Sequence, residues 1–144
     1  AYAIYKNFSY ESYYSFKYPK YDIFKRVNEL KPEKVLLIGQ PAYWLKGDHQ
    51  LSVVSETHLD YSRLNSLDEL LLHLKQANIS TIIYDKTDVE GMAQKADPYY
   101  YKKAYLASRC SYWINLLFNS SHINTIINEK GVLVGQFNST IKDI

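Results

Sequence analysis

The stretch Val35-Leu36-Leu37-Ile38-Gly39 constrains this chain more than any other. Four large apolar residues in succession, two of them β-branched, leave no polar face. A strand of this kind is covered on both sides, as in a parallel sheet packed between helices. Its neighbours extend the pattern. Upstream, Ile23, Phe24, Val27 and Leu30 recur at helical spacing from Tyr21 to Leu30, and Lys31-Pro32 ends that helix because a residue before proline is pushed out of the helical region. Downstream, Leu51–Ser55 reads as a second strand. Ser66-Leu67-Asp68-Glu69 is a capping box, Leu67, Leu70, Leu71 and Leu74 form an apolar helix face, and Asn78 suits the stop. Ile79–Tyr84 is the third strand. Strand, strand, capped helix, strand is the order of a parallel crossover.

The remainder is read more simply. Asp85–Lys95 is polar and reads as a mobile loop. Asp97-Pro98 opens a helix on which Leu106, Cys110, Trp113 and Leu117 share a stripe, making Cys110 a buried apolar-like thiol. Ile123–Ile127 and Val132–Phe137 flank Asn128-Glu129-Lys130-Gly131 as an antiparallel hairpin. The expected fold is α/β: a small three-layer Rossmann-like domain spanning 20–144. Its parallel core strands are 35–39, 51–55 and 79–84, and its closing hairpin is 123–137.

At 144 residues, with 47% apolar residues, the chain is the size of one domain and composed like a globular one. Its net charge of +2 is spread along the chain, which excludes the basic stripe of a nucleic-acid binder. One cysteine precludes an internal disulfide. No apolar run reaches the ~18–20 residues that span a bilayer. The chain starts in mid-pattern at Ala1, without Met or an apolar leader, and reads as a piece of something longer. Tyrosine is the outlying residue, with 15 in all, and Tyr2, Tyr5, Tyr10, Tyr13, Tyr14, Tyr18 and Tyr21 are interleaved with Lys6, Lys17 and Lys20. Rings with polar tips and snorkelling lysines suit a water–lipid boundary, and equally a strap over a small core.

The search for chemistry excludes more than it finds. A strand ending in Gly39 invites a nucleotide site, but a dinucleotide loop needs further glycines. Here Gln40-Pro41-Ala42-Tyr43-Trp44 follows, where Pro41 lacks an amide donor and the two rings fill the phosphate space. A phosphoacceptor site would need an acidic pair at Gly39-Gln40, and Asp85 after a strand serves equally as a turn former. His49, His58, His73 and His122 have no ligand spacing, and Asp85, Asp88 and Glu90 lack the alternation of a calcium loop. No metal site, cofactor or catalytic residue is expected. Four Asn-x-Ser/Thr sequons, at Asn7, Asn78, Asn119 and Asn138, read as coincidence in a chain rich in these residues.

The segment Lys31–Leu45, with Val35-Leu36-Leu37-Ile38-Gly39 followed by the aromatic pair Tyr43-Trp44, resembles the start of a known domain type. This is the C-terminal soluble domain of bacterial polytopic glycosyltransferases of the GT-C class, the protein mannosyltransferase and aminoarabinose transferase-like group. Ser66-Leu67-Asp68-Glu69-Leu70-Leu71-Leu72-His73-Leu74 is similar to that group's helix, and Asn78–Tyr84 to its next strand, with Asn78 where the group has Gly. The resemblance spans residues 20–85 well and 98–137 loosely. It implies a parent transferase using a polyprenyl-phosphate sugar, whose catalytic acid lies in a loop this chain does not contain, so no catalytic residue carries over. This chain would then be a non-catalytic extracytoplasmic domain at the periplasmic face of the inner membrane. Its partners would be the parent's membrane domain, a glycan or lipid-linked acceptor, and the membrane surface near residues 1–21, with residues 1–19 as a membrane-proximal arm. Binding would fall to the residues beyond the strand ends, Gln40, Tyr43, Trp44, Lys46 and Asp85, where rings stack on sugars and polar groups bond hydroxyls. Two rivals stand beside it: a free-standing enzyme with a degenerate nucleotide or S-adenosylmethionine site after Gly39, and an interaction module using the tyrosine-rich arm.

Overall fold

The computed structural model describes residues 20–39, 45–47, 49–52, 59–95 and 101–138, with residues 50–52 described by their backbone alone. The tyrosine-rich arm therefore lies outside the described residues, as do the Asp97-Pro98 helix start and Gln40, Tyr43 and Trp44. The described chain runs α1 (Tyr21–Glu29), β1 (Val35–Ile38), β2 (His49–Ser52) and a 3-10 turn (Tyr61–Arg63), followed by α2 (Leu67–Gln76), β3 (Thr81–Asp85), α3 (Lys86–Ala93), α4 (Tyr101–Phe118), β4 (Ile123–Glu129) and β5 (Val132–Phe137). It is a mixed α/β fold built on one five-stranded sheet in the order β2-β1-β3-β5-β4. β1 pairs in parallel with β2 and with β3, while β5 pairs antiparallel with both β3 and β4.

The unalternating run of β1 is explained by what lies above and below it. Val35 and Leu37 join Ile83, Ile127, Val132 and Val134 on one face of the sheet, beneath Ile23, Phe24 and Val27 of α1. Leu36 and Ile38 join Ile82, Tyr84 and Ile123 on the other, against Leu70, Leu71 and Leu74 of α2 and Cys110, Ile114 and Leu117 of α4. Every residue of β1 and β3 is buried. Each such aliphatic side chain contributes about 1.5–3 kcal/mol on burial, so the central pair of strands is the main apolar anchor of the fold.

Local signals place the ends of α2. Ser66 Oγ accepts the Glu69 amide at 3.2 Å, as the capping box requires, but Glu69 Oε2 reaches one residue further back than expected, accepting the Asn65 amide at 3.0 Å. At the other end Asn78 takes a left-handed φ of 60°. The Ile79 amide then reaches the Leu74 carbonyl and the Asn78 amide the Lys75 carbonyl. This is a Schellman closure, in which Ile79 also packs near Leu74.

Five features differ from the sequence reading. β2 covers His49–Ser52 rather than 51–55, set by the pairing of His49 with Val35, and residues 53–58 lie outside the described part. β3 is 81–85 rather than 79–84, because Ile79 completes the closure of α2 and Ser80 Oγ instead bonds both the amide and the carbonyl of Lys34. The polar stretch after β3 is not a loop: it folds as α3, capped by Asp85 and held by the single buried residue Val89. Leu30 is not on the buried face of α1 but beyond its end, 47% exposed. The hairpin turn is tighter than the four residues expected. Glu129 pairs with Val132, and Lys130 and Gly131 both have positive φ (54° and 75°), the geometry of a two-residue turn in which glycine carries the second position. Arg26 on α1 clasps the base of this turn, with Nη1 3.0 Å and Nη2 2.5 Å from the two Glu129 oxygens.

Candidate functional site at the carboxyl edge of the sheet

From the centre of the sheet, β1 leads outward to β2, and the chain then crosses through α2 to β3 on the other side of β1. The paths leaving β1 and β3 diverge, and open α/β sheets bind ligands in the crevice beyond the carboxyl ends of the strands at such a point. Gly39 and Asp85 lie there. Gly39 has φ 95°, and a side chain on it would meet Val89 Cγ2 at 3.0 Å and Asp85 Cβ at 3.2 Å. Glycine is therefore required by both conformation and space.

Asp85 is fully buried, with 0% of its surface exposed. A buried carboxylate persists only when its oxygens are matched. Here Oδ1 accepts the Asp88 amide at 3.1 Å, capping α3, and Oδ2 lies 2.5 Å from Lys20 Nζ, whose side chain is 26% exposed. Asp85 is thus an anchor, tying residue 20 to the end of β3, and its oxygens are not turned to a ligand.

The other described candidate, Lys46, is elsewhere. It precedes β2, whose first residue pairs with Val35 at the start of β1, and its amide donates to Asn28 Oδ1 at 3.0 Å. That is the amino edge, a strand's length from Asp85, or about 13 Å at 3.3 Å per residue. The structure does not bring Lys46 and Asp85 together, and Gln40, Tyr43 and Trp44 fall outside the described residues. At the amino edge lies a groove of about 560 Å³ lined by Lys31, Lys75, Asn78, Gln136 and Phe137, with a smaller hollow of about 210 Å³ beside Lys46 and Asn28. Sequence reasoning missed this groove, because its residues come from four separate segments, and it missed Lys20 as the partner of Asp85. Only the isolated Asp after an apolar strand gave any signal of the latter.

No nucleophile emerges among the described residues. Burial pushes the Cys110 thiol up to about 12, against a small opposing effect of a hydrogen bond with Tyr61, so it stays protonated. Burial also pushes the Tyr84 phenol up to about 12. Among the described residues no three His, Cys, Asp or Glu side chains are grouped to hold a metal ion, and no helix is long and apolar enough to cross a membrane. No protein-family model matches the chain, and no curated protein or solved structure is significantly similar to it.

Proposed function

We propose that the chain is a non-catalytic extracytoplasmic domain of a GT-C membrane glycosyltransferase that uses a polyprenyl-phosphate sugar, and that it helps position the acceptor or covers the active site. The observation that carries this reading is the path of β1, β2, capped α2 and β3, with Gly39 pressed against Asp85 where β1 ends. This is the order of elements that the resemblance implies. Helices against both faces of the sheet further support a small three-layer Rossmann-like domain. In this reading the domain sits on the periplasmic side of the bacterial inner membrane, and Gln40, Tyr43 and Trp44, which follow β1 in sequence, contact a glycan. Lys46, at the opposite edge, is left out of that contact, and Asp85 supports it only as an anchor.

The test uses the full-length encoded protein. Several apolar spans of about 20 residues upstream of Ala1 are expected. Tyr43→Ala and Trp44→Ala should raise the acceptor KM about tenfold, the loss of one or two stacking contacts, and leave the donor KM unchanged. A reading frame without such spans, or variants with unaltered acceptor KM, would overturn the proposal. The rival nucleotide or S-adenosylmethionine site draws on Gly39 at the divergence of β1 and β3, although a buried carboxylate beside it disfavours phosphate. That rival predicts a rise in Tm when either ligand is added to the 144-residue chain.

A further inference from the structure

Helix α4 buries Ala107, Cys110, Trp113, Ile114 and Leu117 on one side. Its opposite side is not the polar surface that an amphipathic helix presents to water. Tyr101, Tyr105, Tyr112 and Leu116 follow one another at steps of four, seven and four residues, so they form a single stripe. They are 75%, 49%, 51% and 39% exposed. At 1.5 Å per residue the stripe is about 22 Å long. Lys102 is exposed on the flank of the stripe, and the Arg109 guanidinium lies 5.0 Å from the centre of the Tyr112 ring. None of the 18 residues of α4 is acidic. The acid facing its flank, Glu90, accepts a hydrogen bond from Asn115 at 3.3 Å.

The face is therefore aromatic and cationic together. Protein–protein interfaces enrich tyrosine and arginine but deplete lysine. At a bilayer surface all three belong, since tyrosine rings enter the acyl boundary with their hydroxyls among headgroups, and lysine and arginine reach anionic lipid. Charge complementarity thus favours a lipid surface over a second copy of this chain, which would bring the same positive face. We propose that the Tyr101–Leu116 face of α4 lies in the interface of an anionic membrane, a docking surface separate from residues 1–21. The inference rests on the membrane-proximal part of the preceding reading, but it is tested without measuring sugar transfer, so either can fail alone.

The test is flotation of the 144-residue chain with phosphatidylcholine vesicles, with and without phosphatidylglycerol. Binding to the anionic vesicles is expected, weakened by salt. Each basic residue at such a surface is worth about fivefold in partition. The variant Lys102→Gln/Arg109→Gln should therefore lose at least about tenfold, allowing for incomplete additivity. Tyr101→Ser/Tyr105→Ser/Tyr112→Ser should also lose binding while keeping the parent circular dichroism. As a second readout independent of those variants, an environment-sensitive dye on Ser108→Cys, within the stripe, should shift to the blue on anionic vesicles. The same dye on Glu33→Cys should not. The buried Cys110 thiol leaves labelling selective for the introduced cysteine. Absence of vesicle binding, binding by either variant equal to that of the parent, or a dimer that the tyrosine variant dissolves would each overturn the proposal.

Discussion

Removing either partner of the Lys20–Asp85 pair should destabilise the fold, and by unequal routes. Asp85→Ala deletes the cap of α3, about 1 kcal/mol. It also deletes a charged hydrogen bond to Lys20, about 1.5–3 kcal/mol. Lys20, being part-exposed, can turn to water, so the expected total is about 2.5–4 kcal/mol. Lys20→Met acts differently: it removes the cation from a fully buried carboxylate whose Oδ1 still accepts the Asp88 amide at 3.1 Å. Breaking a buried pair from one side costs about 3–5 kcal/mol, and the opening at Lys20 brings this to about 2–4 kcal/mol because water can approach. In Lys20→Met/Asp85→Asn the uncompensated charge is gone while an oxygen still caps α3. The double variant should then be less destabilised than the sum of its parts by about 1–2 kcal/mol. Urea unfolding followed by circular dichroism gives each value, with the slope unchanged if only stability moves. Single variants within about 0.5 kcal/mol of the parent, or additive effects, would refute the anchoring role.

Other parts of the fold allow similar checks. Ser66→Ala should cost about 1 kcal/mol in the same urea assay, through loss of the bond to the Glu69 amide. Gly39→Ala should cost about 1–3 kcal/mol for its left-handed backbone plus the clash with Val89. Adding Val89→Ala should relieve the steric part alone, so a double variant worse than the sum would count against that geometry. Cys110 ordinarily ionises near 9 but is held to about 12 by burial in the fold. The unfolded chain therefore releases its proton first, so the contribution of Cys110 to stability should be constant below pH ~9 and fall as the pH rises toward 12. A Cys110→Ala chain should lack that part of the alkaline decline. Native Cys110 should also resist iodoacetamide until denaturant is added.

What was legible in the sequence is what nearest neighbours encode. Val35–Ile38 announced a doubly covered strand because its whole environment is written into four residues. Ser66, Glu69 and Asn78 marked the ends of α2 because capping is chemistry over three or four residues. α3 was hidden because it is held by one buried side chain, Val89, and by a cap that doubles as the end of a strand, so it has no apolar period to detect. The extent of β2 depends on its register against β1, which no local pattern states. The candidate site was the least legible part. Asp85 finds its cation 65 residues away, and Lys46, eight residues after Ile38 in sequence, lies at the opposite edge of the sheet from Asp85. Proximity in sequence was a poor guide to proximity at the strand ends.

The ordering of the sheet also carries a kinetic consequence. β4 and β5 meet across a two-residue turn, and α2 closes on itself, so both need little chain entropy to form. The parallel pairing of β1 with β3 must bring together segments such as Lys34 and Ser80, 46 residues apart. The clasp of Arg26 on Glu129 spans 103 residues. Loop closure of that length slows formation of the contacts it permits. The chain is thus expected to assemble from its tail toward its head: the hairpin and α2 first, then the central strands, and α1 last, laid over a sheet whose second face stays open until it arrives.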